Sequence, residues 1–220
     1  MKKRNNPSYP GLFITIEGGE GSGKTTVCKH LKTIIESYGY SVMATREPGG
    51  SLLSEALRHL LLDSKNHYKI GNRAELFLFL AARAQHIEDS ISPSLYRGEV
   101  VVCDRFNDSS IAYQGYGRDL GLEYVEKLCQ LATGGLEPDI TFLLDLDPLI
   151  GMERLKHRER NTCDRLEQEM LQFHQKTRQG YLDLANQYPG RIAIIDAVKP
   201  LEFVVQSCFH RLQNFLPFKS

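Results

Sequence analysis

A chain of 220 residues in which 27 Lys and Arg balance 27 Asp and Glu is long enough for one sizeable core. It lacks the basic excess expected of a nucleic-acid groove. The five cysteines, Cys28, Cys103, Cys129, Cys163 and Cys208, are odd in number and scattered, with no C-x-x-C. Neither a zinc site nor a disulfide framework is indicated, and reduced thiols predict a cytoplasmic protein. No apolar stretch of signal-peptide length precedes Glu17. The longest apolar run, Leu76–Ala82, falls far short of the ~20 residues that span a bilayer, so no membrane is expected as a partner.

Residues 1–10, polar with two prolines, predict a flexible arm. Leu12–Ile16 reads as a strand, and it stops at a glycine-rich turn that leads into a helix striped by Val27, Leu31, Ile34 and Ile35. That helix is expected to end near Gly39. A strand over about 41–45 runs into the turn Arg46-Glu47-Pro48-Gly49-Gly50, and a helix from Ser51, as a candidate cap, to about Leu62 follows. Residues 63–71 read as a loop. Residues 73–97 form a long helix closed by Gly98. Val100–Cys103 is continuously apolar, as a strand covered on both faces would be, and it ends at Asp104-Arg105.

Residues 107–135 are mixed, with helical stretches and several glycines. Ile140–Leu146 reads as a strand, 148–158 as a helix, and a long helix carries Leu166, Met170, Phe173, Tyr181 and Leu184 on one face. Ile192–Ile195 is a last strand, and 201–215 a last helix striped by Val204, Cys208, Leu212 and Phe215. Strands alternating with helices predict an α/β fold, a parallel sheet of five strands with helices on both faces, in a single domain. Ligands of such sheets bind outside the carboxyl ends of the strands. The glycine turn, Arg46, Asp104, Arg105, Asp145, Asp147 and Asp196 all fall at or just after such ends.

The turn from Gly18 to Thr25 is G-x-x-x-x-G-K-[ST] between a strand and a helix, the context a phosphate-binding loop requires. Its glycines let successive N–H groups face one anion, and the helix N-terminus adds partial positive charge. Lys24 supplies a mobile full charge, and the Thr25 hydroxyl is placed to ligate magnesium. A dinucleotide fingerprint is excluded, because no glycines stand at i, i+2 and i+5. Arg46 is either a grip on two phosphate oxygens or a solvated loop residue. Asp104 is either a magnesium-side carboxylate, direct or through water, or a cap or ion-pair partner for Arg105. Phe79 and Arg83, one helical turn apart, either stack and read a base or belong to the core with Leu76, Phe77, Leu78 and Leu80. The cluster Arg154, Lys156, Arg158 and Arg160 is either a solvated face or a lid over about 154–163 that brings cations to a transferring phosphoryl group.

The stretch Asp104-Arg105-Phe106-Asn107-Asp108-Ser109-Ser110-Ile111-Ala112-Tyr113-Gln114-Gly115 resembles a signature of the thymidylate kinase family, a branch of the nucleoside monophosphate kinases. Thr45–Gly50, Phe79-x-x-x-Arg83, Asp164-Arg165-Leu166-Glu167 and Asp196-Ala197 match in the same order, so the resemblance spans about Leu12 to Phe209. It implies a three-layer P-loop NTPase fold, a homodimer, and transfer of the γ-phosphoryl group of ATP to dTMP with Mg2+, giving dTDP for DNA synthesis. On the same basis, Gly18, Gly19, Glu20, Gly21, Ser22, Gly23, Lys24, Thr25 and Thr26 would hold ATP. Glu20 would also meet the acceptor 3′-hydroxyl, and Arg46 and Arg105 the acceptor phosphate. Phe79 would stack on thymine, Arg83 would bond its carbonyl edge, and Ser110, Tyr113 and Gln114 would line the sugar and base pocket. Tyr113 would crowd the ribose 2′ position. One branch of the family carries a catalytic arginine in the phosphate loop and the other in the lid. The loop here has none, which resembles the bacterial lid type, with Arg158 and Arg160 as the catalytic partners of Lys24 and Arg105. Phe106 departs from the usual tyrosine or histidine but keeps an aromatic plane. The alternatives are another nucleoside monophosphate or deoxynucleoside kinase, a nucleotide switch, or a relative that binds without catalysis. A guanine switch would need an Asn/Thr-Lys-x-Asp stretch, and none occurs.

Overall fold

The computed structural model describes residues 8–63, 69–157 and 164–216. Five parallel strands, β1 (Leu12–Glu17), β2 (Val42–Arg46), β3 (Val100–Asp104), β4 (Ile140–Asp145) and β5 (Ile192–Asp196), form one sheet in the order β2-β3-β1-β4-β5. β1 is central, so the crevice where strand order reverses opens directly above its carboxyl end. The register sets Arg46 and Ile16 level with Asp104, and Asp145 level with Asp196. The groups expected at one edge do lie at that edge.

Helices cover both faces. On one side Leu12, Ile14, Ile16, Val100, Val102, Phe142 and Leu144 pack against α1 (Lys24–Ser37) and the C-terminal helix Leu201–Leu212 through Val27, Leu31, Ile35, Val204, Cys208 and Leu212. On the other, Phe13, Val101 and Cys103 meet Ile87, Ile91, Leu95 and Phe106, and Leu143 joins Phe79, Leu80, Tyr113, Phe173 and Tyr181. Every residue of β1 and β3 is buried, as the apolar runs that make up most of both strands require. Phe215 is buried although the last helix closes at Leu212.

Between β2 and β3 lie α2 (Leu52–Leu62), α3 (Asn72–His86) and α4 (Ser92–Tyr96). The expected single helix over 73–97 is continuous but irregular, because Ile87–Ile91 between α3 and α4 is π-helical. Pro93 lies within the run; it lacks an N–H, and its ring excludes a regular turn before it, which a π-turn accommodates. Ser51 stands at the cap of α2, but its hydroxyl bonds Ser54 Oγ at 2.9 Å rather than a backbone N–H. Beyond β3 come α5 (Asn107–Ser110), a π-helical turn Ile111–Gly117, and α6 (Leu122–Thr133).

After β4, α7 spans Pro148–Lys156, α8 Leu171–Gln187, and the C-terminal helix is α9. The expectation that Leu166 and Met170 share a helix face with Phe173, Tyr181 and Leu184 is corrected. Asp164 Oδ1 accepts from the N–H groups of Leu166 and Glu167, and Glu167 Oε2 accepts from Asp164 N, a reciprocal box that makes 164–169 a turn. Leu166 is buried from that turn, and Met170 is 76% exposed. Arg158, Arg160 and Cys163, most of the expected lid, and residues 1–7 of the expected arm lie outside the described residues. Tyr9 packs its ring 4.5 Å from that of Tyr96. Among the described residues no helix is long and apolar enough to cross a membrane, and Cys28, Cys103, Cys129 and Cys208 are buried free thiols.

Candidate active site

A cleft of about 650 Å3 opens above the carboxyl ends of β1, β2 and β3. One wall is the phosphate loop. Gly18 has φ 141° and Gly21 φ 71°. A Cβ on Gly18 would come 2.5 Å from Leu144 O, and one on Gly21 2.4 Å from Gly151 O, so close backbone approach admits only glycine there. Lys24 Nζ donates to Gly19 O at 2.8 Å, and Ser22 Oγ donates to the same carbonyl at 2.8 Å. Burial, with Arg105 nearby, lowers the Lys24 pKa from the ordinary lysine value. Thr25 Oγ1 donates to Asp104 Oδ2 at 2.6 Å. A hydroxyl and a carboxylate held together beside a phosphate-binding turn are hard oxygen donors suited to Mg2+. Thr26 also lines the cleft, and Arg154 of α7 reaches over the loop to Gly21 O at 3.4 Å and Ala197 O at 3.0 Å.

The opposite wall starts at Arg105, just past β3. Its φ of 75° is costly for a residue with a side chain, and its guanidinium is held from several sides. Nη1 donates to Gly18 O, Ser109 Oγ and Tyr181 OH at 3.1–3.2 Å, and Nη2 to Glu20 Oε1 at 2.5 Å and Tyr113 OH at 3.0 Å. Tyr113 OH also donates to Glu20 Oε1, at 2.7 Å. Burial alone would raise the Glu20 pKa. Arg105, Lys24 and Tyr113 outweigh it and bring it down to about 2. Beneath Arg105, Glu17 accepts from Phe106 N, Ser109 Oγ and Tyr181 OH at 2.6–2.9 Å. Deep burial, followed by the charge of Asp108, pushes Glu17 up to about 7.

Arg83, Phe79, Ser110 and Gln114 close the far end. Phe79 is 9% exposed, packs in the core and lines the cleft, so its two expected roles coexist. Arg83 is buried; it donates from Nε to Glu47 Oε2 at 2.6 Å, from Nη1 to Ser110 Oγ at 3.0 Å and from Nη2 to Phe106 O at 2.9 Å. His86 Nδ1 lies 3.1 Å from Glu47 Oε1, and its Nε2 lies 2.7 Å from Thr45 Oγ1. Glu47, His86 and Cys103 bring ligand atoms within 4.8 Å of one another. Glu47 is spent on Arg83 and His86, so the group forms a hydrogen-bonded wall rather than a metal centre. Arg46 is different: its side chain is 48% exposed and pairs with Glu55 at 2.9 Å, with its guanidinium at the rim of the cleft.

A family model described as thymidylate kinase matches residues 16–208. The chain belongs to the thymidylate kinase family. It is 46% identical over 211 residues to a thymidylate kinase of Protochlamydia amoebophila, covering 94% of each chain. It is 49% identical over 210 residues to one of Desulfovibrio desulfuricans, covering 93% of this chain and 96% of that one. It is also similar to the crystal structure of thymidylate kinase from Ehrlichia chaffeensis, with a TM-score of 0.73 and 36% identity over 92% of this chain and 98% of that one. The chain is therefore a nucleoside monophosphate kinase with the P-loop NTPase fold.

The expected site residues that fall in the described segments gather in this cleft or its walls. The sequence reading gave no role to the groups that hold them. Neither Glu17 nor Glu47 carries a pattern of its own in the sequence, and Tyr181 lies on the buried stripe of α8 with Phe173 and Leu184. Glu75 carries one legible signal, a carboxylate four residues before Phe79 on a face of Leu76, Phe79 and Leu80.

Proposed function

We propose that this enzyme transfers the γ-phosphoryl group of ATP to dTMP, giving ADP and dTDP. A phosphate oxygen of dTMP attacks the γ-phosphorus, the bond to the β-phosphate oxygen breaks, and ADP leaves. The transition state is loose, so positioning and charge stabilisation dominate. The acceptor is already an anion and needs no strong base.

The observation that carries this reading is Glu20. It belongs to the phosphate loop, yet its carboxylate is bonded to Arg105 and Tyr113 on the opposite wall. A residue shared by donor loop and acceptor pocket supports a reading in which two phosphates meet head to head. Lys24 exchanges its bond to Gly19 O for the transferring group. Thr25 and Asp104 would hold Mg2+, which neutralises charge on the donor phosphates. Arg105 and Arg46 keep the acceptor phosphate in line, Phe79 stacks the base, Arg83 meets its carbonyl, and Ser110, Tyr113 and Gln114 line the sugar and base. Arg158 and Arg160 supply the arginine that the loop lacks.

ADP release measured with each nucleoside monophosphate in turn tests the reading. A clear preference for dTMP is expected, and equal or better turnover of dGMP, dCMP or a free nucleoside would replace it with another kinase of the superfamily. We also infer a cytoplasmic homodimer. Support comes from the buried free thiols and from exposed apolar side chains on neighbouring helices, Phe77 on α3 and Tyr124 and Leu131 on α6. Light scattering that returned a monomer would remove the dimer.

A further inference from the structure

Glu75 is a carboxylate 1% exposed on α3, four residues before Phe79 and eight before Arg83, hence on the face that lines the base end of the cleft. An unpaired charge there would be very costly. Glu75 Oε1 accepts from Gln114 Nε2 at 2.9 Å and from Arg118 Nε at 3.1 Å. Its Oε2 accepts from Arg118 Nη2 at 3.1 Å and pairs with Arg165 Nη2 at 2.6 Å. Burial alone would raise its pKa. Arg118, Gln114 and Arg165 outweigh that and hold it below the ordinary carboxylate value.

An ionised carboxylate can only accept hydrogen bonds. Gln114 must therefore present its N–H end to Glu75, and Oε1 becomes the end offered to the cleft that Gln114 lines. The Arg83 guanidinium, which can only donate, lines the same cleft. The cleft thus carries a fixed donor and a fixed acceptor at this end. A pyrimidine with a ring carbonyl next to a ring N–H, such as thymine, complements that pair. Cytosine presents an amino group to the guanidinium and a bare ring nitrogen to Oε1, so both contacts become repulsive.

We propose that Glu75 is a positioning residue that sets base selectivity by fixing the orientation of the Gln114 amide, favouring the imide edge of thymine over cytosine. This rests on the dTMP reading above. Glu75→Gln replaces an obligatory acceptor by a group that either donates or accepts, so the Gln114 amide is free to turn over.

The test is kcat/KM for dTMP and for dCMP in the wild type, in Glu75→Gln, in Gln114→Ala, and in Glu75→Gln combined with Gln114→Ala, with thermal unfolding of each. Glu75→Gln is expected to lower the dTMP:dCMP ratio at least tenfold and raise KM for dTMP while KM for ATP stays within twofold. In the Gln114→Ala background the same substitution is expected to leave the ratio unchanged. A ratio that holds while both substrates lose rate would make Glu75 merely structural and overturn the proposal. So would an equal fall in ratio without Gln114. Glu75, Arg118, Arg165 and Glu169 are two acids and two bases in one cluster. Glu75→Gln with Arg118→Gln keeps that balance and carries the same readouts if the single variant fails to fold. A wild type with no dTMP preference would overturn the functional reading together with this one. A wild-type preference that survives Glu75→Gln overturns the role of Glu75 alone.

Discussion

The phosphate loop makes its wall from the backbone of eight consecutive residues, Gly18 to Thr25, whereas the facing wall assembles side chains from Glu17 to Tyr181. On the loop side, chemistry comes from glycines at positive φ and a helix start. On the other side it comes from acid–base pairs, buried in Glu47 with Arg83 and partly buried in Glu20 with Arg105 and Glu75 with Arg118. A backbone site tolerates little besides glycine but needs few partners. A site of buried charges depends on every partner, because removing one leaves the other uncompensated. Substitutions on the two walls should therefore fail differently, the first in turnover and the second in stability or acceptor affinity.

The largest effect is expected in turnover. Replacing Arg158 and Arg160 together with alanine should cost roughly 10³-fold or more in turnover, as removal of an arginine finger does, with the fold intact. Undiminished kcat would take the lid out of the mechanism. On the facing wall, Glu47→Ala strands Arg83 in a site where both side chains are nearly inaccessible. Breaking such a pair costs about 3–5 kcal/mol, read in denaturant unfolding. A change below 1 kcal/mol would mean that Arg83 is held by Ser110 and Phe106 alone.

Phe79→Ala is intermediate. Base–aromatic stacking is worth ~1–3 kcal/mol, so KM for dTMP should rise about tenfold or more. An unchanged KM with a large loss of stability would return Phe79 to the core alone.

Glu17 gives the smallest effect, and the sign follows from its raised pKa. The folded state holds its proton up to about pH 7, against an ordinary value of 4.5. Its stabilisation is complete below pH 4.5 and is lost as pH rises through 7. Glu20, lowered to about 2, acts in the opposite sense and over a different window, losing stability as pH falls from 4.5 toward 2. The difference in Tm between wild type and Glu17→Gln should therefore shrink as pH rises from 4.5 to 7. A constant difference would mean that Glu17 does not titrate in that range.

The contrast between the walls also explains what was legible in the sequence. The loop is local, so its pattern and its strand–helix context sit side by side. The sheet was legible because buried parallel strands are continuous apolar runs, as in Val100–Cys103. Arg46, Asp104 and Arg105 followed from strand ends. The supporting carboxylates were not legible, because an isolated glutamate does not announce which arginine, far along the chain, will meet it. Glu47 and Arg83 are 36 residues apart, and Glu75 and Arg165 are joined only in the fold. The π-turn at Ile87–Ile91 was hidden because helical periodicity continues through it. Met170 leaves the apolar helix face because the box from Asp164 to Glu167 starts a turn inside an apparently helical pattern.

Glu20 joins the two walls, and Glu20→Gln tests that junction most directly. Steady-state kinetics with each substrate varied in turn should show KM for dTMP raised at least tenfold and KM for ATP within twofold of wild type. A raised KM for ATP with KM for dTMP unchanged would confine Glu20 to the donor side and contradict the account of the loop as the meeting point of donor and acceptor.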